Sequence, residues 1–251
     1  MSRSEAAFVF GVVSEAKSDQ RIACGLAERV SVERIDWLES ESLPGLCQWR
    51  GFEGGTDYLA WNAIERSAKR RGLATHPRFN GAFDERPARL ALFLFNSLGE
   101  RPEAVVLVRD TDDVDERVSS LKRARDERPW PFAVVLATPA TKRECWVLNG
   151  FVPRNRDEKA ALERVRRKLG FDPCSAGERL TAKRKRGKNN AKLILERDLG
   201  VQPGSDREDA CWRETDLDVL RARGRGTLLA GYLEDVVDRL VPILASSHGT
   251  S

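Results

Sequence analysis

The stretch that decides the fold is 104–113, AVVLVRDTDD, in which an apolar, β-branched run is followed directly by acidic residues. A continuous apolar run of this kind predicts a strand of a parallel sheet that is buried on both faces. Two further runs have the same character, 7–13 (AFVFGVV) and 131–138 (PFAVVLAT). Because helical segments separate the three runs, the sequence predicts an α/β fold with a parallel sheet flanked by helices.

Helical spacing of apolar residues marks the rest of the chain. Segments 57–71 and 85–98 predict a helical insertion between the first and second strands, and the chain after 150 predicts a mostly helical, basic C-terminal region. The predicted domains are therefore a core at 1–150 and a C-terminal region at 151–251. The predicted helices are 19–29, 57–71, 85–98, 114–128, 141–149, 154–169, 189–199 and 228–244.

Composition excludes several classes of protein. Uncharged runs such as 90–99 and 129–141 are shorter than the roughly 20 apolar residues of a membrane-spanning helix, and no secretion signal is expected. The 5 cysteines form no CxxC pair, which indicates a reduced, cytoplasmic setting without a zinc site. With only 2 histidines, a Ser-His-Asp triad is disfavoured. Carboxylates and lysines are therefore the candidates for any catalytic chemistry.

Carboxylates follow each of the three predicted strands. Glu15 follows the first strand, Asp110 and Asp112 follow the second, and Glu144 lies a few residues past the third. Because the carboxyl ends of parallel strands share one edge, these four side chains are expected to meet there. Such a group needs a positive partner, and Mg²⁺ or Mn²⁺ prefers oxygen ligands. Helix capping and turn formation are the alternative roles for acidic residues after strands.

Three segments together resemble the motifs of Toprim-like proteins. Residues 8–19 (FVFGVVSEAKSD) resemble the first motif, 105–112 (VVLVRDTD) resemble the second, and 138–148 (TPATKRECWVL) is similar to a Glu-Trp segment after the third strand. The similarity is to small stand-alone Toprim proteins related to the Toprim half of OLD-type nucleases, and it covers residues 5–150. The chain departs from the pattern at Ala16, where a Gly is usual, and in the 95 positions between Glu15 and Asp110 (110 − 15).

The resemblance implies a Toprim-like sheet and a metal-dependent nuclease. By position, Glu15 would be a metal ligand or general base, Asp110 and Asp112 would be metal ligands, and Glu144 would be a further acid at a second ion. Asp19 matches the Asp that follows the first motif, although capping of its helix is an equal alternative. One or two Mg²⁺ or Mn²⁺ ions are expected. The resemblance also implies a partner, an AAA- or ABC-type ATPase from a neighbouring gene.

Basic residues supply candidates for contact with nucleic acid. Lys142 and Arg143 flank the third acid, and the run 183–192 (KRKRGKNNAK) carries six basic residues and no acidic one. Such a run either follows a phosphate backbone or forms a solvated loop. Since the net charge is only +4, attraction to DNA or RNA must be local. The predicted contacts within the run are Lys183, Arg184, Lys185, Arg186, Lys188 and Lys192.

Three functions remain open from the sequence. The favoured one is a Mg²⁺- or Mn²⁺-dependent endonuclease in a bacterial defence or repair system. No GxxxxGK[ST] loop is present, so ATP hydrolysis is assigned to the partner. A HAD-like phosphatase would also use Asp-x-Asp after a strand, with Asp216 and Asp218 as its nearest second acidic pair. The third is a non-catalytic nucleic-acid-binding or assembly subunit, and homo-oligomers are compatible with each.

Overall fold

The computed structural model of the chain describes residues 8–73, 84–181 and 187–246. Among them, five strands form one parallel sheet: β1 (Phe8–Ser14), β2 (Cys47–Arg50), β3 (Leu59–Ala60), β4 (Ala104–Val108) and β5 (Ala133–Ala137). The strand order is β2-β1-β4-β5, and β3 pairs with β1 beyond the end of β2. The prediction of an α/β fold with a parallel sheet flanked by helices is confirmed.

Helices occupy most of the remaining chain. In chain order they are α1 (Lys17–Arg34), α2 (Leu43–Leu46), α3 (Ile64–Arg70), α4 (Glu85–Asn96), α5 (Glu116–Asp126), α6 (Arg143–Asn149), α7 (Arg156–Leu169), α8 (Ala191–Leu193), α9 (Asp206–Arg213), α10 (Leu217–Arg223), α11 (Leu229–Arg239) and α12 (Val241–Ala245). A π-helical turn, Ile194–Asp198, follows α8. None of the helices in the described parts of the chain combines the length and the apolar character that crossing a membrane requires.

The chain divides into two compact units, each made of separate stretches. The first, here called the sheet unit, comprises Met1–Arg109, Asp115–Ala137 and Glu234–Ser251. The second, here called the helical unit, comprises Asp110–Val114 and Thr138–Leu233. The sequence analysis predicted contiguous domains instead, and the C-terminal region is helical as expected.

The core of the sheet unit forms around β4. All five residues of β4 are buried, because a strand covered on both faces must be apolar throughout. Helix α4 contributes an apolar face to the same core, with Leu92 and Phe95 fully buried. Gly11 of β1 permits this packing, since a Cβ atom there would lie 2.7 Å from the ring of Phe95. The predicted strand at 104–109 and helix at 85–98 thus agree with the structure to within two residues.

Several predicted helices differ from the structure. The segment 189–199 contains only the short α8 and the π-helical turn, and α1 extends five residues beyond the predicted 19–29. The segment 57–71 begins as strand β3, and helix α3 starts only at Ile64, because the backbone of Leu59 and Ala60 pairs with β1. The segment 228–244 is divided into α11 and α12, and Pro242 lies in the first turn of α12. Proline has no N–H to donate and is favoured in the first turn of a helix, so a new helix begins there.

Candidate functional site

In the sheet unit, Glu15 and Arg109 follow neighbouring parallel strands. Glu15 comes directly after β1 and Arg109 directly after β4, so both reach the carboxyl edge of the sheet. Their side chains form an ion pair. Arg109 Nη2 also lies 3.2 Å from Asp84 Oδ1, and the buried Asp84 forms a second ion pair with Arg117. Glu15 is therefore held in a network of alternating charges.

An open pocket of about 430 Å³ surrounds this ion pair. The guanidinium of Arg109 lies 5.2 Å over the ring of Trp61, whose Nε1 donates a hydrogen bond of 2.6 Å to the carbonyl of Val108. A guanidinium stacked on an aromatic ring is held in a defined plane. The pocket is lined by Glu15, Trp61, Asn62, Asp84, Pro87 and Arg109. Arg109 was not predicted, although it stands directly before Asp110 at the end of a predicted strand.

In the helical unit, the loop 110–114, here called the acidic loop, is joined by backbone hydrogen bonds to the loop 138–142. The N–H of Thr111 donates to the carbonyl of Pro139, and the N–H of Asp112 donates to that of Thr141, both over 2.9 Å. Asp112 and Asp113 have φ angles of 49° and 59°. Asp is one of the few side chains that enter this left-handed region, and such conformations persist only where the surroundings hold them. The acidic loop therefore has a fixed backbone path.

Lys142 lies between the two carboxylates of this loop. Its Nζ is 3.0 Å from Asp112 Oδ1 and 3.8 Å from Asp110 Oδ2. Burial alone would lower the pKa of Lys142, but the hydrogen bond to Asp112 and the charges of Asp110, Asp112 and Glu144 raise that pKa above its ordinary value. The Lys142 ammonium is thus a counter-ion that the two carboxylates share.

Arg143 connects Asp110 to a buried ion pair. The Arg143 N–H donates to Asp110 Oδ1 over 2.9 Å, so backbone fixes one carboxylate oxygen while the other faces Lys142. The Arg143 side chain is buried, and its Nη1 lies 2.6 Å from Glu208 Oε1. Glu144 is also buried, with Oε1 3.8 Å from Arg143 Nη2. Contact between the Arg143 guanidinium and a phosphate would require its pair with Glu208 to open.

The remaining predicted residues take other places. Asp19 lies in the first turn of α1, and its Oδ2 accepts a hydrogen bond of 3.0 Å from the N–H of Ala16, as expected for the capping alternative. Lys188 and Lys192 are exposed, and Lys192 Nζ lies 3.6 Å from Glu196 Oε1. Four predicted nucleic-acid contacts lie outside the described residues: Lys183, Arg184, Lys185 and Arg186.

Among the predicted metal ligands, Asp110 and Asp112 decide whether the site could hold Mg²⁺ or Mn²⁺. Within residues 8–73, 84–181 and 187–246, no group of three or more His, Cys, Asp or Glu side chains is arranged to hold a metal ion. Mg²⁺ often needs less, because one or two carboxylates hold it and water completes its shell. Asp110 and Asp112 already share one cation, the Lys142 ammonium. Asp110 and Asp112 are therefore the two described carboxylates that would hold such an ion.

Comparison of the chain with protein-family models, with curated proteins and with solved structures gives no match. The fold defines an α/β protein with a parallel sheet, and the predicted acids fall into two groups. Asp110, Asp112 and Glu144 belong to the helical unit, where all three contribute to the charge around Lys142. Glu15 belongs to the sheet unit, where its partner is Arg109. The resemblance to Toprim-like proteins rests on the three sequence motifs.

Proposed function

We propose that this protein is a Mg²⁺- or Mn²⁺-dependent nuclease that hydrolyses phosphodiester bonds of DNA or RNA in the cytoplasm. The observation that supports it most is the sharing of one ammonium, that of Lys142, by Asp110 and Asp112. Two carboxylates that converge on one cation in a backbone-fixed loop suit a divalent ion better than a helix cap. The three Toprim-like motifs favour the same chemistry.

The roles of the residues follow from their contacts. Asp110 and Asp112 would hold the ion, and the Arg143 N–H keeps Asp110 oriented towards it. When bound there, Mg²⁺ or Mn²⁺ supplies a Lewis acid for phosphoryl oxygens and lowers the pKa of a bound water. Lys142, once released from the carboxylates, carries a positive charge suited to a scissile phosphate. Glu15 is proposed as a general base or a further ligand.

The test is cleavage by the purified protein. Plasmid, linear DNA and tRNA are incubated with the protein in Mg²⁺, in Mn²⁺ or in EDTA, and cleavage is expected with a divalent ion only. Asp110→Asn should reduce cleavage at least about a hundredfold, because several kcal/mol of charge stabilisation are lost. Asp157→Asn, at an exposed position of α7, is the matched control and should retain full activity.

The outcomes separate the proposal from its rivals. An Asp110→Asn variant that folds, as circular dichroism reports, and still cleaves would exclude this mechanism. Cleavage that persists in EDTA would exclude the metal. Activity on a small phosphate ester with nucleic acid untouched would favour a phosphatase. The phosphatase has little support, because Asp216 accepts hydrogen bonds from the N–H groups of Asp218 and Val219 as the cap of α10.

A second candidate function is that of a non-catalytic nucleic-acid-binding or assembly subunit. The observation that favours it is that protein cations already neutralise the predicted acids, with Arg109 on Glu15 and Lys142 on Asp110 and Asp112. Metal-independent binding without cleavage of any of the three substrates would support it. An ATPase from a neighbouring gene fits either function, and co-purification of the two gene products tests that partnership.

A further inference from the structure

Two adjoining pockets in the sheet unit form an open groove lined by arginines. The first, of about 350 Å³, and the second, of about 460 Å³, share the wall formed by Phe52, Glu53, Ser67 and Arg70. Arg66 lines the first pocket, and Arg50 and Arg71 line the second. We call this feature, with its four residues Arg50, Arg66, Arg70 and Arg71, the arginine groove.

The arginine groove carries a local excess of positive charge. Four arginines line it with one carboxylate, Glu53, which forms an ion pair with Arg70. Three positive charges are therefore uncompensated by the lining (4 − 1). Arg66 and Arg71 are exposed and have no ion pair with any other described residue. The net charge of the whole chain is only +4, so this concentration of charge is local.

Two contacts hold arginines of the groove in defined positions. The Nη2 of Arg50 donates to the carbonyl of Glu100 over 2.9 Å, while its Nε is buried and has no hydrogen-bond partner among the described residues. The guanidinium of Arg71 lies 5.2 Å over the ring of Phe52, which fixes its plane.

The shape of the arginine groove favours a polymer over a single small anion. The pockets lie side by side, and Arg66 and Arg70 are one helical turn apart on α3, about 6 Å along its axis. Positive groups in a row along an open groove follow a phosphate backbone. Ala60, which lines the first pocket, pairs with Ser14, the residue before Glu15.

We propose that the arginine groove binds the phosphate backbone of a nucleic acid. This inference rests on the proposed function and assigns the substrate-binding surface to α3 and the loop between β2 and β3, in addition to the basic run at 183–192. Arg66 and Arg71 contact phosphates from the exposed side, and Arg50 adds positive charge to the groove. Contact is with the backbone, so binding depends strongly on salt and weakly on base sequence.

The experiment measures binding of the full chain to fluorescein-labelled 20-nucleotide DNA, single-stranded and duplex, by fluorescence anisotropy in EDTA, where cleavage is suppressed. The variant is Arg66→Ala/Arg71→Ala. Each lost phosphate contact reduces the salt slope on duplex DNA by about 0.9, which is roughly eightfold in affinity at 0.1 M salt. The double variant should therefore lose a slope of about 2 and bind roughly 60-fold more weakly.

A matched control removes the same charge elsewhere. Arg164→Ala/Arg167→Ala takes two exposed arginines from α7 in the helical unit, and it should change affinity less than threefold. Thermal unfolding of both variants should match that of the unmodified protein, because none of the four side chains is buried. Equal weakening by both double variants would reduce the effect to net charge and overturn the proposal. If millimolar inorganic phosphate displaces all of the labelled DNA, the proposal that the groove binds a polymer is overturned.

Failure of this inference and failure of the proposed function give different results. If the protein cleaves in Mg²⁺ and Arg66→Ala/Arg71→Ala binds DNA as tightly as the unmodified protein, binding by the arginine groove is refuted and the nuclease function is supported. If that variant loses DNA binding but the unmodified protein cleaves no substrate, binding by the arginine groove is supported and the nuclease function is refuted. A protein that binds neither DNA form in EDTA has no backbone-binding surface of this kind.

Discussion

Replacement of Lys142 by methionine is expected to strengthen the binding of a divalent ion. The Lys142 ammonium lies 3.0 Å from Asp112 and 3.8 Å from Asp110, so an incoming ion competes with it for the same oxygens. In Lys142→Met the two carboxylates lose this shared cation, so their mutual repulsion increases and a bound metal ion relieves it. Methionine keeps a chain of similar length, so packing of the stem changes little.

The expected size of the effect follows from the distances and the exposure. Two unit charges 4 Å apart attract by about 4 kcal/mol at an effective dielectric constant near 20, and by about 1 kcal/mol in bulk water. The Lys142 side chain is 29% exposed, so water screens part of its attraction to the carboxylates. We expect a gain of about 1 to 3 kcal/mol in the free energy of Mn²⁺ binding, or about 5- to 150-fold in affinity.

Titration calorimetry with MnCl₂ measures this gain directly. Lys159→Met, at an exposed position of α7, removes the same charge away from the carboxylates and should change the affinity less than twofold. Asp110→Asn should abolish the binding of Mn²⁺ in the Lys142→Met background. If Lys142→Met binds Mn²⁺ no more tightly than the unmodified protein, the ammonium and the metal do not share a site, and the magnesium fit of Asp110 and Asp112 is refuted.

Two further predictions concern stability. Gly11→Ala should lower the free energy of unfolding in urea by about 1 to 3 kcal/mol, because its Cβ would lie 2.7 Å from the ring of Phe95. The control is Gly45→Ala, whose Cβ meets no atom within 4 Å and which should therefore cost less. Equal losses for the two variants would contradict the packing argument. Burial raises the pKa of Asp172, but hydrogen bonds led by Arg166 lower it overall below its ordinary value of 3.8. Its stabilising contribution is therefore present above that value and lost as pH falls through the lowered pKa. Asp172→Asn should therefore destabilise the protein more at pH 7 than at pH 2, and an equal loss at both pH values would contradict this reasoning.

The sequence predicts the fold where burial alone determines the pattern. Strand β4 is apolar at every position because helices cover both faces, and no alternation obscures the run. Strand β2 (Cys47–Arg50) has the sequence CQWR, in which only Cys47 is buried, so composition offers no signal for an edge strand of this length. Strand β3 (Leu59–Ala60) has spacing that fits a helix equally well. The conformation of β3 is determined by its pairing with β1, which the spacing of nearby residues does not predict.

The sequence predicted the acidic residues of the candidate site but not the basic residues that pair with them. Asp110 and Asp112 stand out because they follow a buried strand, and chemistry requires a positive partner for them. That partner is Lys142, which the sequence analysis assigned to a phosphate because it flanks Glu144. Arg109 pairs with Glu15 across 94 positions of sequence, a contact created only when β1 and β4 align. Patterns within a short window cannot predict a pairing of that separation.

The different burial of the two neighbouring cations, Lys142 and Arg143, argues for one ion at this site rather than two. Lys142 holds Asp110 and Asp112 through a flexible four-carbon stem that is partly exposed, so the ammonium can withdraw when a metal arrives. Arg143, beside Glu144, is buried and its guanidinium is fixed by Glu208 at 2.6 Å. Displacing Arg143 would break its buried ion pair with Glu208, which is a large cost. A second ion at Glu144 is therefore disfavoured, and the same titration should give a stoichiometry of one Mn²⁺ per chain.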